Sequence, residues 1–168
     1  MTLGFMIVFF RIDERLIHGQ IAIKWSKYTN ADRIVVANDA AAASPIIQKS
    51  LKMAAPAGIK TTIKTVDDAI KLLNDPRGTS LKMLVLVNSP EDAAKMAENV
   101  EGIPYINIGN YGRIAPEKPG MPRKMYGANI YCDDIEVENF KKLLNTGLKC
   151  IYQTTPEAPE EDISKIFK

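Results

Sequence analysis

The chain has 168 residues, 46% hydrophobic and 25% charged, with 22 Lys and Arg against 20 Asp and Glu for a formal net charge of +2. This composition is that of a folded globular protein and excludes disordered and fibrous classes, while the near-balanced charge lacks the basic field that non-specific nucleic-acid binding needs. Nucleic acid is therefore not an expected partner. The length fits one domain over residues 1–168, with a core that needs no metal or disulfide to stabilise it. Cys132 and Cys150 form no C-x-x-C pair and have no neighbouring histidine, so neither a metal site nor a cofactor is expected. The apolar stretch from Leu3 to Phe10 has no basic flank before it and meets Arg11, Asp13, Glu14 and Arg15 too soon to span a bilayer. The expectation is a cytoplasmic protein with no direct membrane insertion.

In chain order, apolar runs of strand length alternate with segments of helical period. The runs are "FMIVFFRI", "RIVVA", "IKTTI", "KMLVLV", "YINIG", "ANIYC" and "KCIYQ". After the first, Gly19-Gln20 opens a segment in which Ile21, Trp25 and Tyr28 share one helical face. Ser44-Pro45 and Ser89-Pro90 each place a capping hydroxyl before a proline at the first helical position, and Thr65 with Asp68 repeats the cap for "VDDAIKLLN". Asp134 precedes "IEVENFKKLLN", which Gly147 terminates. A short last helix around Ile163, Ile166 and Phe167 docks on the sheet, and residues 109–124, "GNYGRIAPEKPGMPRK", read as a surface loop. The alternation predicts an α/β fold: an open, mostly parallel twisted sheet with helices on both faces. In such sheets ligands bind outside the carboxyl ends of the strands, which singles out Asp13 to His18, Asn38-Asp39, Asn88-Ser89 and Gly109 to Arg113.

Neither G-x-G-x-x-G nor G-x-x-x-x-G-K-[ST] follows the first strand, and no G-x-S-x-G elbow occurs. What remains is His18, the chain's single histidine, between the first strand and the first helix. At a helix start the free N–H groups and the positive dipole end favour an anion, Gly19 lets backbone come close, and neutral imidazole is a nucleophile near pH 7. Arg15, and with it Arg11, is placed to bond phosphate oxygens; the other reading of Arg15 is a surface pair with Asp13 or Glu14. Asp13 either orients the imidazole or fixes the loop. Asn38 and Asp39 fit a cap or turn, or a polar group meeting His18 at the same rim. Arg113 is a solvated loop cation or a second phosphate ligand, and Gln20 completes the residues around His18.

"RIDERLIHGQI" resembles the active-site loop R-I-D-x-R-L-I-H-G-Q-V of the IIB subunits of the mannose/fructose/sorbose class of the bacterial phosphoenolpyruvate-dependent sugar phosphotransferase system. "VVANDAAA", "LKMAAP", "NIG" at 107–109 and "GLKCIYQTTPEAP" resemble later landmarks of that family, whereas "GNYGR" departs from its G-G-M-like turn. The resemblance implies a histidine phosphorylated after the first strand, usually on Nδ1, which by position is His18, with Arg15 stabilising the phosphoryl group. It also implies a phosphoryl donor, component IIA, and a sugar acceptor held by membrane components IIC and IID, with this chain peripheral to that complex. "RIDER", "ANDA" and "QTTPEAP" lean toward the N-acetylgalactosamine branch. A non-catalytic docking module of the same fold is the alternative, and the oligomeric state, a homodimer included, is left open.

Overall fold

The strand β1 (Met6–Asp13) lies in the middle of a seven-stranded sheet. The computed structural model of the chain describes residues 6–75 and 81–167; Phe5, expected in the first strand, lies outside them. After β1 come α1 (Gly19–Thr29), β2 (Arg33–Ala37), α2 (Asp39–Ala42), α3 (Pro45–Ala54), β3 (Lys60–Lys64) and α4 (Val66–Leu73). Then follow β4 (Lys82–Val87), α5 (Pro90–Asn99), β5 (Ile106–Asn110), β6 (Lys124–Gly127), β7 (Ile130–Cys132) and α6 (Asp134–Asn145). The chain closes with β8 (Cys150–Tyr152), β9 (Glu161–Asp162) and a single 3-10 turn, Ile163–Lys165. The sheet order is β3-β2-β4-β1-β5-β8-β9, parallel throughout except for β9 against β8.

Alternation along the central strands divides the core into two layers, as a pleated strand requires. Phe9, Ile34, Val36, Leu84 and Leu86 pack with Ala22 and Trp25 of α1 and Leu51 of α3. Phe10, Ile12, Val35, Val85 and Ile108 pack instead with α4, α5 and α6 through Ala69, Met96, Phe140 and Leu143. The sheet is thus covered on both faces, as its near-continuous apolar strands demand. Two register shifts tune it. Ile7 and Phe9 pair with the consecutive residues Met83 and Leu84, so Val8 is an extra residue in β1. Ile12 and Asp13 pair with Ile108 and Asn110, so Gly109 is an extra residue in β5.

The side-chain caps form as their sequences predict, on Ser44, Thr65 and Ser89. Four expectations need correction. The cap of α6 is Asp133, which makes a reciprocal capping box with Glu136, because the acid one residue before the helix, not its first residue, has the extended backbone a cap needs. "ANIYC" does not enter the sheet; its β7 pairs with β6 in a separate antiparallel hairpin, and Gly109 and Asn110 belong to β5 rather than to the loop. The expected last helix is one 3-10 turn, with Ile163 and Phe167 buried. Among the described residues no helix is long and apolar enough to cross a membrane.

Candidate functional site

Asp13 ends β1, and its carbonyl accepts the N–H of Leu16 at 2.9 Å, closing a turn. Leu16 has φ 60, a left-handed conformation uncommon for a residue with a Cβ, and it is retained because Leu16 and Ile17 bury their side chains in the α1 layer. His18 follows with extended backbone as the N-cap of α1, yet its side chain caps nothing. The imidazole instead turns back to the buried Asp13, with Nε2 at 3.0 Å from Oδ2. Gly19, at φ 43, takes the strained first helical position that this turn imposes.

Asp13 accepts three further hydrogen bonds, from Arg11 Nε at 3.2 Å, the Arg15 N–H at 3.0 Å and Asn110 Nδ2 at 3.2 Å. The Asn110 bond exists because the extra residue Gly109 brings Asn110 opposite Asp13. Burial alone would raise the Asp13 carboxyl, but the His18 hydrogen bond and the Arg11 charge outweigh it and hold the pKa below its ordinary value. A charged carboxylate only accepts, so Nε2 carries the proton and Nδ1 keeps its lone pair. A quarter of the His18 side chain is exposed, and Nδ1 is the ring nitrogen not engaged by Asp13.

The two chains leaving β1 and β5 go to opposite faces, β1 to α1 and β5 to the hairpin and α6, which makes a crevice at the carboxyl edge. A cleft of about 190 Å³ lies there, lined by Glu14, Arg15, His18, Asn110, Arg113 and Thr154 among others. At about 30 Å³ per water molecule it has room for about six waters, enough for a phosphoryl group. Arg15 and Arg113 are both exposed cations on its rim. The Arg113 guanidinium stacks on Tyr131 at 5.3 Å and donates to its hydroxyl at 3.2 Å. The first turn of α1 carries no acidic residue, so its free N–H groups and dipole stay available to an anion.

The chain matches, over residues 7–168, the family described as "PTS system sorbose subfamily IIB component". It belongs to that family. A probable phosphotransferase enzyme IIB component of Streptococcus pyogenes is 46% identical over 120 residues, 71% of this chain and 74% of the relative. The mannose-specific EIIAB component of Escherichia coli is 32% identical over 162 residues, 94% of this chain, and this chain spans only 48% of that longer protein. The crystal structure of the IIB domain of the sorbose permease from Klebsiella pneumoniae superposes with a TM-score of 0.85 at 28% identity, covering 95% of this chain and 94% of that one. As a IIB component the chain is part of a sugar phosphotransferase system. Relatives named for sorbose, mannose and N-acetylgalactosamine are 30%, 32% and 29% identical to it, so overall identity does not single out a sugar.

Within this IIB component, His18, Arg15 and Arg113 gather at one cleft, with Asp13 buried behind the imidazole that it holds; Gly19 and Gln20 are exposed in the first turn of α1, next to His18 in the chain, and Ile21 of that turn lines the cleft. Arg11, expected beside Arg15 as a phosphate ligand, also lines the cleft, but its guanidinium is engaged elsewhere. Only 2% exposed, it spends its guanidinium on Asp13, on Asn107 Oδ1 at 2.5 Å and on the carbonyls of Gln153 and Thr154, and stacks on Trp25. Its role is to carry Asp13. Asn38 and Asp39 do not reach the cleft, because β4 intervenes between β2 and β1 and their side chains are consumed locally. Asn38 accepts the Ala41 N–H at 2.8 Å and Asp39 that of Val66 at 2.9 Å. Glu14 and Asn110 fall within the stretches the sequence singles out, but it gives them no role there, because their partners lie 100 and 97 residues away. Sequence reading missed the carbonyls of residues 153 and 154, for which "QTTPEAP" was the available signal.

Proposed function

We propose that this IIB chain, acting as one unit over residues 1–168, is a phosphocarrier that takes a phosphoryl group from a phosphohistidine of component IIA onto His18 and passes it to a sugar held by IIC and IID. The observation carrying this reading is the Nε2–Asp13 hydrogen bond, which leaves Nδ1 as the uncommitted nitrogen of a histidine that lines a phosphate-sized cationic cleft. Nδ1 attacks phosphorus and the P–N bond to the IIA histidine breaks, its electron pair returning to that imidazole. In the second step the sugar hydroxyl attacks phosphorus, the P–N bond to His18 breaks with its pair returning to Nδ1, and the hydroxyl proton leaves to solvent. Such transfers have loose transition states, so the protein has only to position the group and balance its charge. Arg15 and the Gly19 end of α1 serve the phosphoryl oxygens, Asp13 steadies the imidazole, and Arg113 adds charge from the opposite wall.

The sugar belongs to the mannose, fructose, sorbose or N-acetylgalactosamine class. Its choice falls to the membrane components, since the cations of the cleft, Arg15 and Arg113, suit phosphate oxygens rather than one particular sugar; the reaction site is cytoplasmic, beside the membrane complex. Incubation with phosphorylated IIA is expected to label the protein through an acid-labile bond, and His18→Ala to abolish the label. Undiminished label in that variant refutes the reading.

A further inference from the structure

One contact in the cleft takes no part in the transfer chemistry above. Glu14, on the turn between β1 and His18, sends its carboxylate across to the segment after β5. Its Oε2 accepts the N–H of Arg113 at 3.1 Å, and Oε1 accepts those of Ile114 at 2.9 Å and Ala115 at 2.7 Å. Three consecutive main-chain N–H groups converging on one anion form a nest, an arrangement suited to phosphate oxygens as well as to a carboxylate. Glu14, Arg113 and Ile114 line the same cleft as His18 and Arg15. We propose that the amides of residues 113–115 are a second seat for phosphate oxygens, filled by Glu14 in the unphosphorylated protein and yielded to the phosphoryl group when His18 is charged.

This rests on the reading of His18 as phosphocarrier, and three features carry it further. A carboxylate and a phosphoryl dianion repel within so small a cleft, and only one of them is free to leave: the phosphoryl group is covalently fixed, whereas Glu14 is half-buried and can turn to solvent. The donors do not go unpaired when it leaves, because the incoming oxygens replace it. The cation beside the nest is independent of Glu14, since the Arg113 guanidinium bonds Tyr131 and the Ala128 carbonyl rather than the carboxylate. The seat therefore keeps its positive charge when its occupant changes. Arg15 and the α1 start face the phosphoryl group from one wall and the 113–115 amides from the other.

If Glu14 were only a tether for the segment, removing it would weaken anion binding; as a competitor for the seat, its removal strengthens it. The two roles differ in sign. Titration of the full chain with inorganic phosphate, followed by amide NMR, is expected to show Glu14→Ala binding about tenfold more tightly than wild type, with shifts centred on residues 113–115. Affinity equal to or below wild type overturns the proposal. Should the segment unravel in that variant, Glu14→Gln decides, with tighter phosphate binding than wild type supporting the seat and equal or weaker binding overturning it. Charging His18 in the wild-type protein should also move the 113–115 amides, and an unmoved set overturns the exchange. The carrier reading fails separately, by label surviving in His18→Ala; label lost there with no gain in Glu14→Ala removes the seat alone.

Discussion

Arg11–Asp13 and Arg123–Glu136 are both buried arginine–carboxylate pairs, and of the two only the first borders the cleft that His18 lines. Arg123 grips Glu136 with two parallel bonds of 2.8 and 3.0 Å, and the carboxylate also accepts the Asp133 N–H and the Tyr111 hydroxyl. Through Nη1, Arg123 also reaches the carbonyls of Gly112 and Ala115, so this pair staples the segment after β5 to α6. Burial would raise the Glu136 carboxyl, but the Arg123 bonds outweigh it and bring its pKa to about 2. Arg11 holds Asp13 by one bond of 3.2 Å, leaving the other positions on that carboxylate for His18, Asn110 and the Arg15 N–H. Every bond to Glu136 holds structure together; one bond to Asp13 comes from the imidazole that lines the cleft. The same ion pair is a staple when its carboxylate is closed and a support for a side chain at the cleft when one bond is given to an imidazole.

Exchanging each carboxylate for its amide separates the two roles. Asp13→Asn is expected to slow phosphoryl transfer by about three orders of magnitude while circular dichroism stays native, because an amide no longer fixes which imidazole nitrogen holds the proton. Glu136→Gln should leave transfer within about threefold of wild type and cost about 3 kcal/mol of stability at pH 7 in urea denaturation. Because the folded pKa lies below the unfolded one, that stability is present above about pH 4.5 and is lost as pH falls toward about 2; the Gln variant should lack this part of the slope. Gly109→Ala strikes the reactive pair sterically, since a Cβ there would sit 2.0 Å from Arg11 Nη2, and Arg11 is held by too many bonds to yield. It should destabilise by about 1–3 kcal/mol and slow transfer as well. Asp92 shows a carboxylate without such a grip: burial and the nearby Asp39 and Glu91 raise its pKa to about 6. Asp92→Asn should therefore stabilise by about 1 kcal/mol at pH 7, a gain that shrinks as pH falls through 6 toward 4.

The strands and caps were legible because each depends on neighbours in sequence: short continuous apolar runs for β1, β2 and β4, and hydroxyls three residues before their N–H partners at Ser44, Thr65 and Ser89. Strand order is not written locally, and this is why Asn38 and Asp39 were drawn to the rim of His18 when β4 in fact stands between. His18 was legible from its position at a strand end and helix start. The task of Arg11 was not, since two of its acceptors are main-chain carbonyls, which every residue has. Glu14 was hidden for the mirror-image reason, its donors being main-chain amides.

The extra residue at Val8 has a consequence for which changes of chain length β1 tolerates. Ile7 and Phe9 already pair with successive residues of β4, so a chain lacking Val8 joins them into an unbroken ladder with Asp13 still aimed at His18. A residue lost between Phe9 and Asp13 would instead rotate the carboxylate into the opposite layer. Deletions along this strand are thus accepted at one position and refused a few residues later, and the boundary between them protects a single side chain's direction.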